Sequence, residues 1–288
     1  MKECLHRWAP GSNGRISAGM DEPVIKLIAI PLGAGTACLV LLTALLRSKW
    51  LPQDLPNERS LHAAPIPRSG GMAMMLPIVV TGWFIDEELR LALACATLLA
   101  LVSFVDDRRP LPPWVRLIAH LVAAVVLVAG YFSDWHLLLS LLAVLATVWM
   151  TNLYNFMDGS DGLAGGMAAA GFGCYAGIAF MAGNLEFALV CASITACSLA
   201  FLLFNFHPAR IFMGDIGSIP LGFLAAALGA IGWNDDLWPA FLPALVFSPF
   251  IVDASFTLLR RLVRREKIWR AHRTHYYQRL VRMGMGHR

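Results

Sequence analysis

The stretch NLYNFMDGSDGLAGG, residues 152–166, sets Asn152, Asn155, Asp158 and Asp161 three residues apart and contains no basic residue. Asn, Asp and Gly are all turn formers, and Asp161 is well placed to cap a helix starting near Leu163. Capping accounts for one aspartate. It does not account for four polar residues in register, with Gly159 and Gly162 letting the backbone approach a ligand closely. A second stretch, FMGDIGS, flanks Asp215 with Gly214 and Gly217. Glycines around an acid at a helix entry suit phosphate oxygens and a hard metal ion. Phe212 is either a core residue of a turn or an aromatic on which a base stacks.

Two further groups carry chemistry. Asp106 and Asp107 close an apolar run and are followed by Arg108 and Arg109. Carboxylates at a helix C-terminus oppose the macrodipole, so the placement costs stability unless a bound cation or a proton-transfer role offsets it. His272 and His275 stand near Tyr276, Tyr277 and Gln278, in a tail with ten Lys and Arg from residue 260 onward. Most of those arginines read as a lipid-headgroup anchor; the paired histidines read as ligand contacts. No cysteine accompanies them, which favours Mg2+ over softer metals.

The elements that must position these residues are membrane helices. Of the 288 residues 58% are hydrophobic and only 15% charged, and the mean hydropathy is +0.62. A soluble domain carries about 25% charged residues. Apolar runs fall at 24–46, 71–85, 91–105, 114–133, 137–151, 163–182, 187–206, 217–233 and 237–259. Backbone groups in lipid must be satisfied within the segment. The expectation is an all-α polytopic membrane protein of about nine transmembrane helices, forming one domain over 1–288. Residues 1–22 are expected to be an irregular extension, and 263–288 a cytoplasmic basic tail carrying the histidines. The first run is too long for a signal-peptide core. Five of the six cysteines lie in apolar stretches without CxxC spacing and read as packing residues. Pro243 and Pro249 are expected to break the last run, and Asp253 within it to pair with Arg260 two turns on.

Charge sorts the connections. The segments 47–70, 106–116, 150–162, 205–216 and 260–288 hold 18 of the 23 Lys and Arg. The opposite set holds Lys2, Arg7, Arg15, Lys26 and Arg90. The first set is therefore expected on the cytoplasmic side, and every long or chemically unusual loop falls on it. Asp106, Asp107, Asp158, Asp161 and Asp215 then converge on one membrane face, where they repel one another unless protonated or metal-bound. Mg2+ takes one or two carboxylates plus substrate phosphates. That implies a polyphosphorylated substrate at the lipid boundary, with a soluble phosphodonor meeting a lipid phosphate acceptor. A transporter is the competing class, but it would gather its polar groups near the midplane between internal repeats; here they cluster on one face and no repeat is visible. A catalytically inactive scaffold would have no need of every acid. A net charge of +4 points to no nucleic-acid partner.

The stretch NLYNFMDGSDGLA resembles the NxxNxxDGxDGLA signature of the polyprenyl-phosphate N-acetylhexosamine-1-phosphate transferases. These include the translocase of peptidoglycan synthesis and the initiators of O-antigen and enterobacterial common antigen. The resemblance extends to Asp106-Asp107, to NxxPAxxFMGDxGS at 205–218 and to PIPRSGG at 65–71, and spans about 24–280. HRTHYYQRL is similar to the O-antigen-initiating branch and lacks the triple-histidine run of the peptidoglycan branch. Family members usually continue past this loop into one or two further spans, whereas this chain's last residue is Arg288.

The resemblance implies attack of undecaprenyl phosphate on the β-phosphorus of a UDP-N-acetylhexosamine, with UMP leaving, at the cytoplasmic face of a bacterial inner membrane. It implies Mg2+, with Mn2+ a possible substitute, held mainly by Asp215 with Asp106 and Asp107. Asp106 would deprotonate or orient the lipid phosphate beside Asp107. Asn152, Asn155, Asp158 and Asp161 would shape the nucleotide pocket, Phe212 would stack on uracil and Asn205 would support it. His272 and His275 would contact the sugar-phosphate region, with Arg68, Arg116 and Arg273 facing phosphates. A homodimer is possible by the same resemblance. Base catalysis by Asp106 requires a raised pKa, whereas a phosphate monoester with its second pKa near ~6 is largely dianionic at neutral pH and needs no base.

Overall fold

A computed structural model describes residues 16–48, 53–54, 65–266, 275–280 and 283. The helices are α1 (Ile16–Arg47), α2 (Gly70–Ile85), α3 (Arg90–Arg108), α4 (Pro113–Tyr131), α5 (Leu137–Met157), α6 (Leu163–Met181), α7 (Leu185–Asn205), α8 (Asp215–Asn234), α9 (Leu242–Val246), α10 (Ser248–Val263) and α11 (Tyr276–Leu280). Each of the nine apolar runs is helical, and the architecture is the expected all-α polytopic membrane protein. Among the described residues six helices are long and apolar enough to cross a bilayer: Glu22–Arg47 within α1, and α4 to α8. α2 is a shorter apolar helix of 16 residues. The last run is interrupted at Phe247, between Pro243 and Pro249, where α9 gives way to α10.

Two details differ from the sequence reading. The first helix begins at Ile16, inside the stretch expected to be irregular up to residue 22; residues 1–15 lie outside the described residues. The 47–70 connection also holds a short antiparallel pair, β1 (Gln53–Asp54) with β2 (Ile66–Pro67), which hydropathy does not reveal.

α8 is the most enclosed helix and α7 the next. α8 packs on α5 and α3, and α7 on α6 and α1. Leucines and valines of α1, α4 and α5, such as Leu32, Leu121 and Leu145, stay on the outside. In lipid this is expected, because tails are as apolar as leucine and association depends on close packing of small residues. Gly222 of α8 illustrates it: a Cβ there would lie 2.9 Å from the Met150 carbonyl oxygen of α5. Buried hydroxyls are satisfied within their own helices, Ser193, Ser198 and Thr151 donating to the carbonyl four residues earlier at 2.7–2.8 Å. At the end of the bundle away from the acids, Tyr175 stacks on Trp238 with centroids 4.7 Å apart, and the Trp238 indole donates to Gly229 O at 2.9 Å.

Candidate active site

Helix ends bring the polar residues together. α3 delivers Asp106 and Asp107, the start of α4 delivers Arg116, the end of α5 delivers Asn155 and Asp158, and α8 opens on Asp215. Arg68 arrives from the connection before α2, which is held by backbone bonds to the segment before α8. Phe212 N–H donates to Pro67 O, Gly70 N–H to Phe212 O and Gly71 N–H to Met213 O, each at 2.9 Å. This seam requires glycine, because a Cβ on Gly71 would lie 2.4 Å from the Gly217 backbone. Gly214 caps α8 at φ 73°, and a Cβ there would crowd Arg68 and the Asp107 carboxylate at 3.2 Å.

Two arginines hold the acids. Arg68 Nη2 lies 2.9 Å from Asp215 Oδ1 and 3.1 Å from Asp107 Oδ1. Arg116 Nη1 lies 3.1 Å from Asp106 Oδ2 and 3.5 Å from Asp215 Oδ2. Asp215 is thus shared, and each arginine links it to one member of the Asp pair. Asp215 also enjoys the positive end of α8. Asp106 accepts a further bond from Leu111 N–H at 2.6 Å. Asp107 is almost fully enclosed, its side chain 2% exposed. Among the described residues neither carboxylate oxygen reaches full hydrogen-bond geometry; Arg68 faces it as a charge, and the Ile216 N–H points toward it. Burial, with the negative charge of Asp215 and Asp106 and against Arg68, pushes Asp107 up to about 6. Asp158 is half-buried at the C-cap of α5, and burial followed by the charge of Asp215 pushes it up to about 7.

The structure gathers four of the five expected acids. Asp161 is the exception: its Oδ2 sits 2.7 Å from His207 Nδ1 and accepts from Ala209 N–H at 3.1 Å. Asn205, buried, braces the same two loops, accepting from Gly162 N–H at 2.9 Å and donating to Ile211 O at 3.0 Å. Asn155 accepts from the Ser218 hydroxyl at 2.9 Å, tying α5 to α8. Asn152 lies a turn deeper, donates to Val148 O at 2.7 Å, and neighbours His120 of α4. Phe212 has a half-buried ring and a backbone built into the seam with residues 67–70.

Asp253 does not pair with Arg260, which is exposed. Its carboxylate faces His275 Nδ1 at 3.2 Å and accepts from Tyr276 N–H at 2.9 Å and Tyr277 N–H at 3.0 Å. A carboxylate two turns ahead of an arginine on the same helix looks like a helical pair from sequence, but three donors from the tail satisfy it better. His275 is therefore buried with its Nδ1 against Asp253. His272 and Arg273 lie outside the described residues.

Sequence reasoning passed over His120 and His207. His120 stands four residues after Arg116, on the same face of α4, with Nδ1 buried and without a hydrogen-bond partner among the described residues; that spacing was a usable signal. His207 carried no signal, since its partner is 46 residues away.

Among the described residues no three acids or histidines stand ready as a metal cage. The donor set still fits a hard divalent ion. Asp107 offers two buried oxygens without a complete hydrogen bond among the described residues, beside Asp215, and Mg2+ needs only one or two carboxylates when water and phosphate supply the rest. An apolar groove lined by Met72, Met75, Leu101, Phe104 and Ile216 starts beside the same acids and runs along α2 and α3.

Residues 89–234, half of the chain, match glycosyl transferase family 4. A probable undecaprenyl-phosphate N-acetylglucosaminyl 1-phosphate transferase of Bacillus subtilis is 28% identical over 285 residues, covering 92% of this chain and 75% of the relative. A decaprenyl-phosphate N-acetylglucosaminephosphotransferase of Mycolicibacterium smegmatis is 30% identical, covering 99% and 86%. A phospho-N-acetylmuramoyl-pentapeptide-transferase of Halalkalibacterium halodurans is 31% identical, covering 59% and 62%. With its motifs on adjoining helix ends and a match of this extent, the chain belongs to glycosyl transferase family 4.

Proposed function

We propose that the protein transfers an N-acetylhexosamine 1-phosphate from a UDP-sugar to undecaprenyl phosphate. UMP is released, and the undecaprenyl-diphosphate sugar starts O-antigen or a related cell-envelope glycan. The observation that carries this reading is the double clamp on Asp215, which Arg68 and Arg116 both reach while each also holds one of the Asp pair. The names of the relatives support the same chemistry.

In the reaction an oxygen of the lipid phosphate attacks the β-phosphorus, the bond from that phosphorus to the UMP oxygen breaks, and UMP leaves with the electron pair. Positioning and electrostatics do most of the work in such a transfer. Arg68 and Arg116 exchange carboxylates for phosphate oxygens as the donor arrives, since planar guanidinium groups match both. Asp106, beside Arg116, orients the acceptor phosphate. The Asn155–Ser218 pair and the Asn205 brace fix the walls of the nucleotide pocket. Asp215, with Asp106 and Asp107, would hold Mg2+ or Mn2+, and the ion would neutralise charge on the donor diphosphate. The apolar groove beside Phe104 suits a polyprenyl chain. The distribution of Lys and Arg supports the cytoplasmic face of a bacterial inner membrane. A homodimer rests on the family resemblance alone.

The test uses membranes containing the protein, undecaprenyl phosphate and sugar-labelled UDP-N-acetylglucosamine, then a panel of other UDP-N-acetylhexosamines. Label should enter the lipid fraction, and EDTA or D215A should abolish the transfer. Label that crosses sealed vesicles without entering lipid would instead establish a transporter.

A further inference from the structure

We propose that Asp253 is a positioning residue that latches the HYYQ segment, residues 275–278, over the 156–162 loop and so completes the donor site. The inference rests on the transferase reading above and assigns the intramembrane carboxylate that the reaction leaves unused. Asp253 is buried on α10, and four donors converge on it. His275 Nδ1, Tyr276 N–H and the Thr257 hydroxyl meet Oδ1 at 3.2, 2.9 and 3.2 Å, and Tyr277 N–H meets Oδ2 at 3.0 Å. Three of these donors come from the tail, so the carboxylate grips three consecutive residues.

The latch is anchored at both ends. α10 is docked on α5 through Phe250 and Tyr154, whose rings meet edge to face at 5.0 Å. From the tail, the Tyr277 hydroxyl returns to α5, donating to Phe156 O at 3.3 Å. Gly159 provides the seat, because a Cβ there would lie 2.2 Å from that hydroxyl. Gln278 Nε2 donates to the same hydroxyl at 3.1 Å, while its Oε1 is buried without a hydrogen bond among the described residues. Asp253, residues 275–278 and the first turns of the DGSDG loop therefore form one closed circuit. A carboxylate accepting several backbone N–H groups is a strong, charge-assisted anchor, and it fixes the tail where the donor must bind.

The experiment compares wild type, D253N, Y276P and Y276A in detergent with lipid acceptor present. D253N removes the charge at constant size. Y276P deletes one tail N–H at the first position of α11, where proline is tolerated, and Y276A keeps it. D253N and Y276P should raise the donor KM about tenfold with little change in acceptor KM, the scale of one or two charged hydrogen bonds. They should also speed tryptic cleavage after Arg279 with no donor added, while the melting temperature holds. Y276A should behave as wild type in both readouts. Equal cleavage rates in wild type, D253N and Y276P overturn the latch, as does faster cleavage with an unchanged donor KM. Wild-type protein without any transfer activity is a different failure: it removes the proposed reaction, and cleavage alone then decides on the latch.

Discussion

Arg68 and Asp215 are 147 residues apart in sequence and 2.9 Å apart in space. The contact joins the connection before α2 to the first residue of α8, and the same Nη2 lies 3.1 Å from Asp107 Oδ1. One guanidinium therefore sits between two acids that would otherwise face each other across the site.

Replacing Arg68 tests that arrangement. Arg68→Ala should lower kcat/KM by about 100-fold or more, the scale seen when a preorganised charge is removed from an active site. Arg68→Lys should recover only part of it, because a single ammonium lacks the planar fork. Steady-state kinetics with both substrates varied would check this; full activity in the lysine variant would show that charge alone suffices.

The pH dependence follows from Asp107 and Asp158. Folded, they titrate at about 6 and about 7, above the ordinary 3.8, chiefly because burial penalises their charged forms. A raised folded pKa makes a stabilising contribution that is complete below the unfolded value and is lost as pH rises through the folded one. Metal-free protein should therefore melt at progressively lower temperature between pH 5 and 8. Added Mg2+ should restore the melting temperature at pH 8, and Asp107→Asn should flatten the slope. Scanning fluorimetry in detergent decides it; a profile rising over that range contradicts the assignment.

Asn205 is a brace, so its removal should cost stability before chemistry. Asn205→Ala leaves Gly162 N–H and Ile211 O without their side-chain partner in a buried place. The expected loss is about 1–3 kcal/mol, readable as a lowered denaturant midpoint, with donor KM raised and acceptor KM unmoved.

The seam between α2 and α8 makes a steric prediction. Gly71→Ala drives a methyl group into the Gly217 backbone and should cost about 1–3 kcal/mol together with activity. Gly33→Ala on α1 meets nothing within 4 Å and should leave both intact. Equal melting temperatures for the two variants would show that the seam is loose.

Hydropathy and charge made the helices legible because each span must satisfy its backbone internally and each loop must choose a side. The break near Phe247 was legible from Pro243 and Pro249 for the same local reason. The motifs that define the site could be read, as could the gathering of Asp106, Asp107, Asp158 and Asp215. Their partners could not. Arg68 reaches Asp215 only because the Pro67–Met213 seam folds one connection onto another, and no spacing encodes that. Asp161 turns to His207, and Asp253 takes tail donors rather than Arg260, because partner choice is settled by tertiary packing. Phe212 was read for its ring, yet its backbone is what the seam uses.

The bond that breaks is the most direct test of the account. UDP-N-acetylglucosamine carrying 32P at the β-phosphorus and 14C in the uridine is incubated with the protein, undecaprenyl phosphate and Mg2+. The account predicts 32P in the lipid fraction and 14C remaining in solution as UMP. Soluble UDP that retains the 32P, with unlabelled-phosphate lipid bearing the sugar, would contradict it.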